Sequence, residues 1–168
     1  MLIEALTPVD HALPGELLTE LTELYASNQA FFALSGDFPD PRRITPEQVA
    51  TELAEEFARP TAGALLARSA GRVVALALTL DRHPDPADPD PWIGLLLVHG
   101  ERQGAGIGRH LATWIENHYR DAGRAGVRLA VLDGNPSGLG FWTALGYQPL
   151  DHRHDSAGRP CSVLRKEL

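Results

Sequence analysis

Val98-His99-Gly100-Glu101-Arg102-Gln103-Gly104-Ala105-Gly106-Ile107-Gly108 joins an apolar run, Trp92 to Val98, to a stretch with helical periodicity. Gly104, Gly106 and Gly108 fall where that helix should begin. Glycine inside a helix costs about 0.5–1 kcal/mol relative to alanine, so three in this place need a reason. A helix N-terminus offers free N–H groups and a partial positive charge, and glycine lets a ligand approach that backbone. An anion site, most simply a cradle for phosphate or pyrophosphate, accounts for the pattern. A tight glycine-rich turn with no ligand accounts for it too. The dinucleotide fingerprint G-x-G-x-x-G is a weaker match, because its third glycine would fall on Arg109, although Asp133 follows at the end of the next strand-like run.

Outward from this loop, the chain alternates between the two periods of regular structure. Upstream, Leu2 to Leu6 reads as a strand and Pro14 to Ser27 as a helix, with Leu17, Leu18, Leu21, Leu24 and Tyr25 at steps of three and four. The segment from Asn28 to Arg43 is expected to be irregular. A second helix starts at Thr45 or Pro46, where Thr45 and Gln48 have the spacing of a capping box. Ala64 to Ser69 and Arg72 to Leu80 read as a hairpin turned at Ala70-Gly71. The run His83 to Pro91, rich in proline and aspartate, reads as a loop inserted between strands.

Downstream, a helix is expected from about Ala105 to Asp121, with Ile107, Leu111, Trp114, Ile115 and His118 on its apolar face, ended by Gly123 and Gly126. A strand from Val127 to Leu132, a helix from Pro136 to Leu145, a strand from Tyr147 to His152, a turn at Ala157-Gly158 and a last strand to Lys166 follow. The order β-α-α-β-β-β-α-β-α-β-β is that of an α/β chain with a mixed sheet.

The 168 residues fit one domain, residues 1–168, with a real core. No apolar run approaches the roughly 18–20 residues of a membrane span. The N-terminus lacks the basic flank and apolar centre of a signal peptide, so a cytoplasmic location is expected. A net charge of −7 argues against nucleic acid as a partner and suits a cationic substrate such as an amine. The single Cys161 excludes an internal disulfide, and its apolar context suggests a buried, inert thiol. The histidines show no metal-ligand spacing, so no metal is expected. The cluster His152-Arg153-His154-Asp155 is placed in a hairpin turn.

The pattern Gln103-x-x-Gly106-x-Gly108, after a strand ending Leu95-Leu96-Leu97-Val98, resembles motif A of the GNAT superfamily of acyl-CoA-dependent N-acetyltransferases, (Q/R)-x-x-G-x-(G/A). Asn135-Pro136-Ser137-Gly138-Leu139-Gly140-Phe141-Trp142-Thr143-Ala144-Leu145-Gly146-Tyr147 is similar to the family's N-x-x-A-x-x-F-Y-x-x-x-G-F segment. The two motifs stand in the family's order and spacing. The resemblance implies the GNAT fold: a mixed, mostly antiparallel sheet of about seven strands, splayed in the middle, with about four helices on both faces.

The resemblance also implies acetyl-CoA as cosubstrate and a small-molecule amine as acceptor, acetylated by direct attack in a ternary complex. It allows a homodimer. By the same resemblance, the backbone of Gly104, Ala105, Gly106, Ile107, Gly108 and Arg109 would hold the pyrophosphate. Leu96 and Val98 would pair with the pantetheine amides, and the Val98 N–H would donate to the thioester carbonyl. Gln103 would contact phosphate or remain a solvated loop residue. Asn135 would contact the pantetheine arm or cap its helix. Phe141 and Trp142 would wall the sulfur, although core packing is the first role expected of Phe141.

Two departures from the family stand out. Trp142 occupies the position where many members carry a tyrosine that protonates the leaving thiolate, and tryptophan has no proton to give. The strand Trp92 to Val98 has no acid to accept the amine's proton. Asp133, His99 and Glu4 are the remaining candidate bases. Tyr25, Phe31 and Phe32 are candidates to line the acceptor pocket, or to cover the core. A CoA-binding module with little turnover, acting as sensor or partner protein, is the alternative from another class.

Overall fold

A computed structural model of the chain describes residues 1–7 and 13–168. Seven strands form one sheet in the order β1-β2-β3-β4-β5-β7-β6. They are β1 (Leu2–Ala5), β2 (Ala62–Ser69), β3 (Arg72–Leu80), β4 (Trp92–Val98), β5 (Gly126–Leu132), β6 (Gln148–His154) and β7 (Pro160–Glu167). Five helices accompany them: α1 (Gly15–Ala26), α2 (Gln29–Ser35), α3 (Pro46–Phe57), α4 (Ile107–Asp121) and α5 (Pro136–Ala144). The β-strand period of two separates two cores on opposite faces of the sheet. Leu76 and Leu78 of β3 pack with Leu21, Leu24, Tyr25, Phe32, Val49 and Leu53 of α1–α3. Ala75 and Ala77, one residue out of phase, pack with Leu111, Ala112 and Ile115 of α4 and Trp142 of α5.

The sheet has one weak seam. β4 and β5 pair in parallel only at Trp92↔Arg128 and Ile93↔Leu129. Above these pairs they part, because β4 follows β3 to Val98 while β5 follows β7 to Leu132. A bulge opposite Leu78 and Thr79 leaves Gly94 without a partner and re-aims β4 where the separation starts. Gly94 and Ala130, both in central strands, are therefore exposed. The interior of the sheet contains a gap.

Local chemistry explains most boundaries. Thr45 and Gln48 form both bonds of the capping box that starts α3, with Pro46 at the first helical position. Ala70 and Gly71 have φ of +50° and +81°, as a two-residue hairpin requires. β6 is an edge strand, almost wholly exposed, with a bulge between Pro149 and Asp151.

Several expectations are corrected. The segment after Asn28 contains α2, which is two turns long and ended by Gly36 in the left-handed region. Asn28 gives this helix no side-chain cap, since its Oδ1 accepts from Gln103 Nε2 and its amide nitrogen donates to Leu24 O and Val98 O instead. α4 starts at Ile107, not Ala105, because Gly106 has φ +80°. Its buried face is Gly108, Leu111, Ala112, Ile115, Glu116 and Tyr119. Trp114 and His118 stack on each other at the surface, with centroids 5.6 Å apart. Gly126 opens β5 and does not end α4. His152 and His154 lie on β6, ahead of the turn. No described helix is long and apolar enough to cross a membrane.

The proline-and-aspartate loop does more than connect β3 to β4. Asp88 and Asp90 are buried. Asp90 accepts hydrogen bonds from Arg128 of β5 and Arg165 of β7, both at 2.8 Å. Asp88 accepts from the Trp92 indole at 3.1 Å and pairs with Arg128 at 3.0 Å. The loop thereby ties β4, β5 and β7 together at the closed end of the gap. Burial alone would raise the Asp90 carboxyl, but the bonds from Arg165 and Arg128 outweigh it and hold the group below its ordinary range.

Breaking a buried pair on one side leaves an uncompensated charge, which costs about 3–5 kcal/mol. Asp90→Ala should lose about that much in a urea titration. A depressed carboxyl contributes stability that is present above its unfolded pKa and lost as pH falls through the folded value. The wild-type chain should therefore lose more stability than Asp90→Ala between pH 5 and pH 3.

Candidate active site

The separation of β4 and β5 exposes a row of backbone groups. His99 N–H donates to Val74 O at 2.9 Å, so by strand alternation Val98 directs its N–H and C=O away from β3, into the gap. Val98 O accepts from Asn28 Nδ2 at 3.1 Å and Gln103 Nε2 at 3.2 Å. Leu96, two residues earlier, faces the same way. Gln103 also bonds Asn28 Oδ1 at 3.0 Å, so its amide nitrogen is spent on fixing the end of β4.

The glycine loop stands at the open end of the gap. A short 3-10 turn, Gly100–Arg102, precedes it, and His99 caps that turn by accepting from Glu101 N–H through Nδ1. Gly104 and Gly106 have φ of +78° and +80°, with open space where a Cβ would stand. α4 has no side-chain cap, so the N–H groups of Ile107, Gly108 and Arg109 are free of helical partners. The Arg109 side chain is exposed beside them. Gly108 serves packing instead: a Cβ there would lie 3.2 Å from Phe141 Cζ and 3.3 Å from Val98 Cγ2. Phe141 thus stands between α4 and the end of β4. Uncapped donors, left-handed glycines and open space fit a bound pyrophosphate group.

The opposite wall of the mouth is the end of β5. Asn135 Oδ1 accepts from Gly138 N–H at 2.9 Å and caps α5. The Asp133 carboxylate lies 3.0 and 3.1 Å from His152 Nε2. Beside it, a cavity of about 400 Å³ is lined by Val131, Asp133, Asn135, Leu139 and Ser162. The structure therefore sets Val98, His99 and the loop on one wall, and Asp133 and Asn135 on the other.

Several candidate residues lie elsewhere. Trp142 is 8% exposed and packs edge-on against Phe141 and Tyr147, so it belongs to the core and does not wall the gap. Tyr25 and Phe32 are fully buried and stacked at 5.2 Å, with Phe38 against both, so their rings do not line a pocket. Apolar residues at helical spacing fill the core first, whatever else they do. Phe31 is partly buried at the edge of this group. Glu4 is committed to Arg68 at 2.7 Å. Cys161 is buried, which with the Asp155 charge raises its thiol pKa and removes it as a nucleophile. Among the described residues no group of three His, Cys, Asp or Glu side chains is placed to hold a metal.

The sequence reading passed over Glu52. It projects from α3 beside Val49 and Leu53, half-buried. Its spacing of four from Gln48 and from Glu56 marked it as part of a polar stripe bordering an apolar face.

The chain belongs to the acetyltransferase (GNAT) family, whose model matches residues 22–147. Mycothiol acetyltransferase from Thermomonospora curvata is 33% identical to it over 111 residues, a match covering 66% of this chain and 36% of that protein. The chain thus spans little more than a third of that relative. An acetyltransferase from Thermus thermophilus has the same fold, with a TM-score of 0.75 at 21% identity, over 100% of this chain and 98% of the other. PaiA N-acetyltransferase from Thermoplasma acidophilum, solved in complex with coenzyme A, gives 0.66 at 17% identity over the whole of both chains.

Asn135 tests how far the mouth's second wall takes part in binding. As a helix cap alone, Asn135→Ala should cost about 1 kcal/mol of stability. CoA affinity, measured by calorimetry, should then change less than threefold.

Proposed function

We propose that residues 1–168 act as one N-acetyltransferase domain that moves an acetyl group from acetyl-CoA to a primary amine of a small molecule. The observation that carries this reading is the gap between β4 and β5 with an uncapped, glycine-lined helix start at its mouth. The N–H groups from Gly104 to Arg109 would hold the pyrophosphate, and the free backbone edge at Leu96 and Val98 would pair with the pantetheine amides as a neighbouring strand does. Acetyl-CoA supplies the acyl group as an activated thioester. The Val98 N–H, fixed in direction by Asn28 and Gln103 on its own carbonyl, would donate to the carbonyl oxygen as charge develops there.

Direct attack by the amine, with both substrates bound, is favoured because Cys161 is buried and cannot carry the acyl group. Asp133, hydrogen-bonded to His152 at the mouth of the gap, is the proposed proton acceptor, since it is a carboxylate on the wall facing Val98 and its imidazole partner orients it. His99 is the weaker candidate because its Nδ1 is engaged in the turn.

The alternative, a CoA-binding module with little turnover, draws on two observations. β4 carries no carboxylate, and Trp142 stands in the core where many relatives place tyrosine. Release of free thiol over a panel of amines separates the two readings, since binding without release supports the module.

Gly104→Glu places a negative side chain into the open space of the loop and should weaken CoA binding at least a hundredfold. Gly104→Asn, which tolerates the left-handed backbone and adds no charge, should lose less than tenfold. Equal losses in the two variants would show that backbone strain, not an anion site, governs the loop. Asp133→Asn should lower kcat/KM more at pH 7 than at pH 9. A uniform change across that range would remove Asp133 as the base.

A further inference from the structure

The side of the sheet turned toward α1–α3 has an opening onto the gap. Leu129 and Val131 of β5 pack with α4 and α5, so Arg128, Ala130 and Leu132 point to the opposite side. On that side α2 crosses the open end of the gap. Asn28, just before it, bonds Val98 O at 3.1 Å. Leu34, near its end, lies beside Gly134, where a Cβ would stand 3.3 Å from Leu34 Cδ1. At the closed end stands Trp92, with the His83 ring tilted against it at 5.1 Å. Between α2 and Trp92 the floor is Gly94 and Ala130, exposed although both belong to central strands.

A cation reaches into this opening from the edge of the sheet. Arg153 is opposite Cys161, and Cys161 is opposite Leu132, so all three point to the same side. Arg153 belongs to β6, yet its guanidinium carbon lies 5.4 Å from the centre of the Trp92 ring on β4, so the side chain passes over β7 and β5. The guanidinium is 3.8 Å from Asp88 Oδ2, outside hydrogen-bond reach, and the side chain is 40% exposed. Asp88 is already engaged by Arg128 at 3.0 Å and by the Trp92 indole at 3.1 Å. Asp90 serves Arg128 and Arg165, and Asp151 accepts from the N–H of His152. Arg128, Arg159 and Arg165 each donate to a carboxylate, at 2.8, 2.7 and 2.8 Å. Arg153 differs from them: among the described residues its charge and its N–H donors have no close acceptor.

We propose that Arg153 is a specificity-determining residue that binds a carboxylate of the acceptor, so that the acceptor is an amine carrying a carboxylate several bonds from its nitrogen. This rests on the transferase reading above. The planar fork of a guanidinium matches a carboxylate with two parallel hydrogen bonds. Stacking on Trp92 steadies the fork without using its donors. The spacing follows from the register. Trp92 and Val98 are the two ends of β4, about 20 Å apart at the usual rise of a strand. Arg153 enters between those levels, because Leu132 lies further along β5 than Arg128, the partner of Trp92. A carboxylate held there is too far from a thioester carbonyl at Val98 for an α-amino acid, whose nitrogen and carboxyl carbon are separated by a single carbon.

The test measures thiol release from acetyl-CoA with 4-aminobutanoate, 6-aminohexanoate and 8-aminooctanoate, each against the amide of the same length. In wild type at least one acid should exceed its amide at least tenfold in kcat/KM. Arg153→Gln should raise KM for that acid at least tenfold and bring the acid-to-amide ratio close to one. Arg153→Lys keeps the charge and loses the fork, so its ratio should fall between those of wild type and Arg153→Gln. Calorimetry with CoA should give the same Kd within twofold in all three proteins, which places the loss at the acceptor and not at the cofactor.

Equal kcat/KM for every acid and its amide in wild type, a preference that survives Arg153→Gln, or an equal loss with acid and amide would overturn the assignment. Absence of thiol release with every one of these amines would instead overturn the transferase reading. Calorimetry of 6-aminohexanoate against its amide, on wild type and Arg153→Gln with and without CoA, would then still decide whether Arg153 binds the carboxylate.

Discussion

The structure depends on how β4 and β5 are held where they meet. Two residue pairs join the halves of the sheet, and a parallel ladder this short supplies little cohesion of its own. The buried Asp90, bridged by Arg128 and Arg165, compensates by gathering the start of β4, β5 and β7 at one point. Buried charges are stable only when paired and hydrogen-bonded, so this arrangement tolerates one geometry and fixes the closed end of the gap. The open end can then spread without the sheet coming apart. A gap in the middle of a sheet would normally expose unpaired backbone at a cost, and here that backbone becomes the edge along which an extended ligand can lie.

The two faces of the sheet divide the chemistry. On one face α4 begins with uncapped N–H groups at the mouth of the gap. On the other, α1–α3 close over the stacked rings of Tyr25 and Phe32, with Phe38 against both. The alternation of β3 side chains, leucines to one side and alanines to the other, lets α4 approach closely while the larger three-helix layer fills the opposite side. Glycine at position 108 continues that economy of space, since it lets Phe141 and Val98 meet across the helix start.

The elements governed by local rules were legible in the sequence. The capping box at Thr45, the Ala70-Gly71 turn and the motif-A loop each carry their own signal within a few residues, and the structure realises all three. Long-range partnerships were not legible. Asp88 and Asp90 read only as part of an inserted loop, because nothing local says that arginines from two later strands will meet them. Trp114 was placed on the buried face for the same reason: a period shows that a face exists, not where its boundary falls. Glu52 escaped notice because its raised carboxyl comes first from burial and then from Asp37, neither of which is visible locally in the sequence. Of the mouth of the gap, the residues were legible, but the direction of the Val98 backbone needed the register of β3 and β4.

The charged edge strand β6 has a consequence for assembly. A free strand edge is an invitation to any other extended chain, and a copy of the same protein is always the nearest supply. β6 declines that invitation in three ways: Pro149 has no N–H to offer, the bulge after it breaks the register, and Asp151, His152, Arg153 and His154 line its length. Any pairing between copies of this chain is thereby steered away from continuation of the sheet through β6.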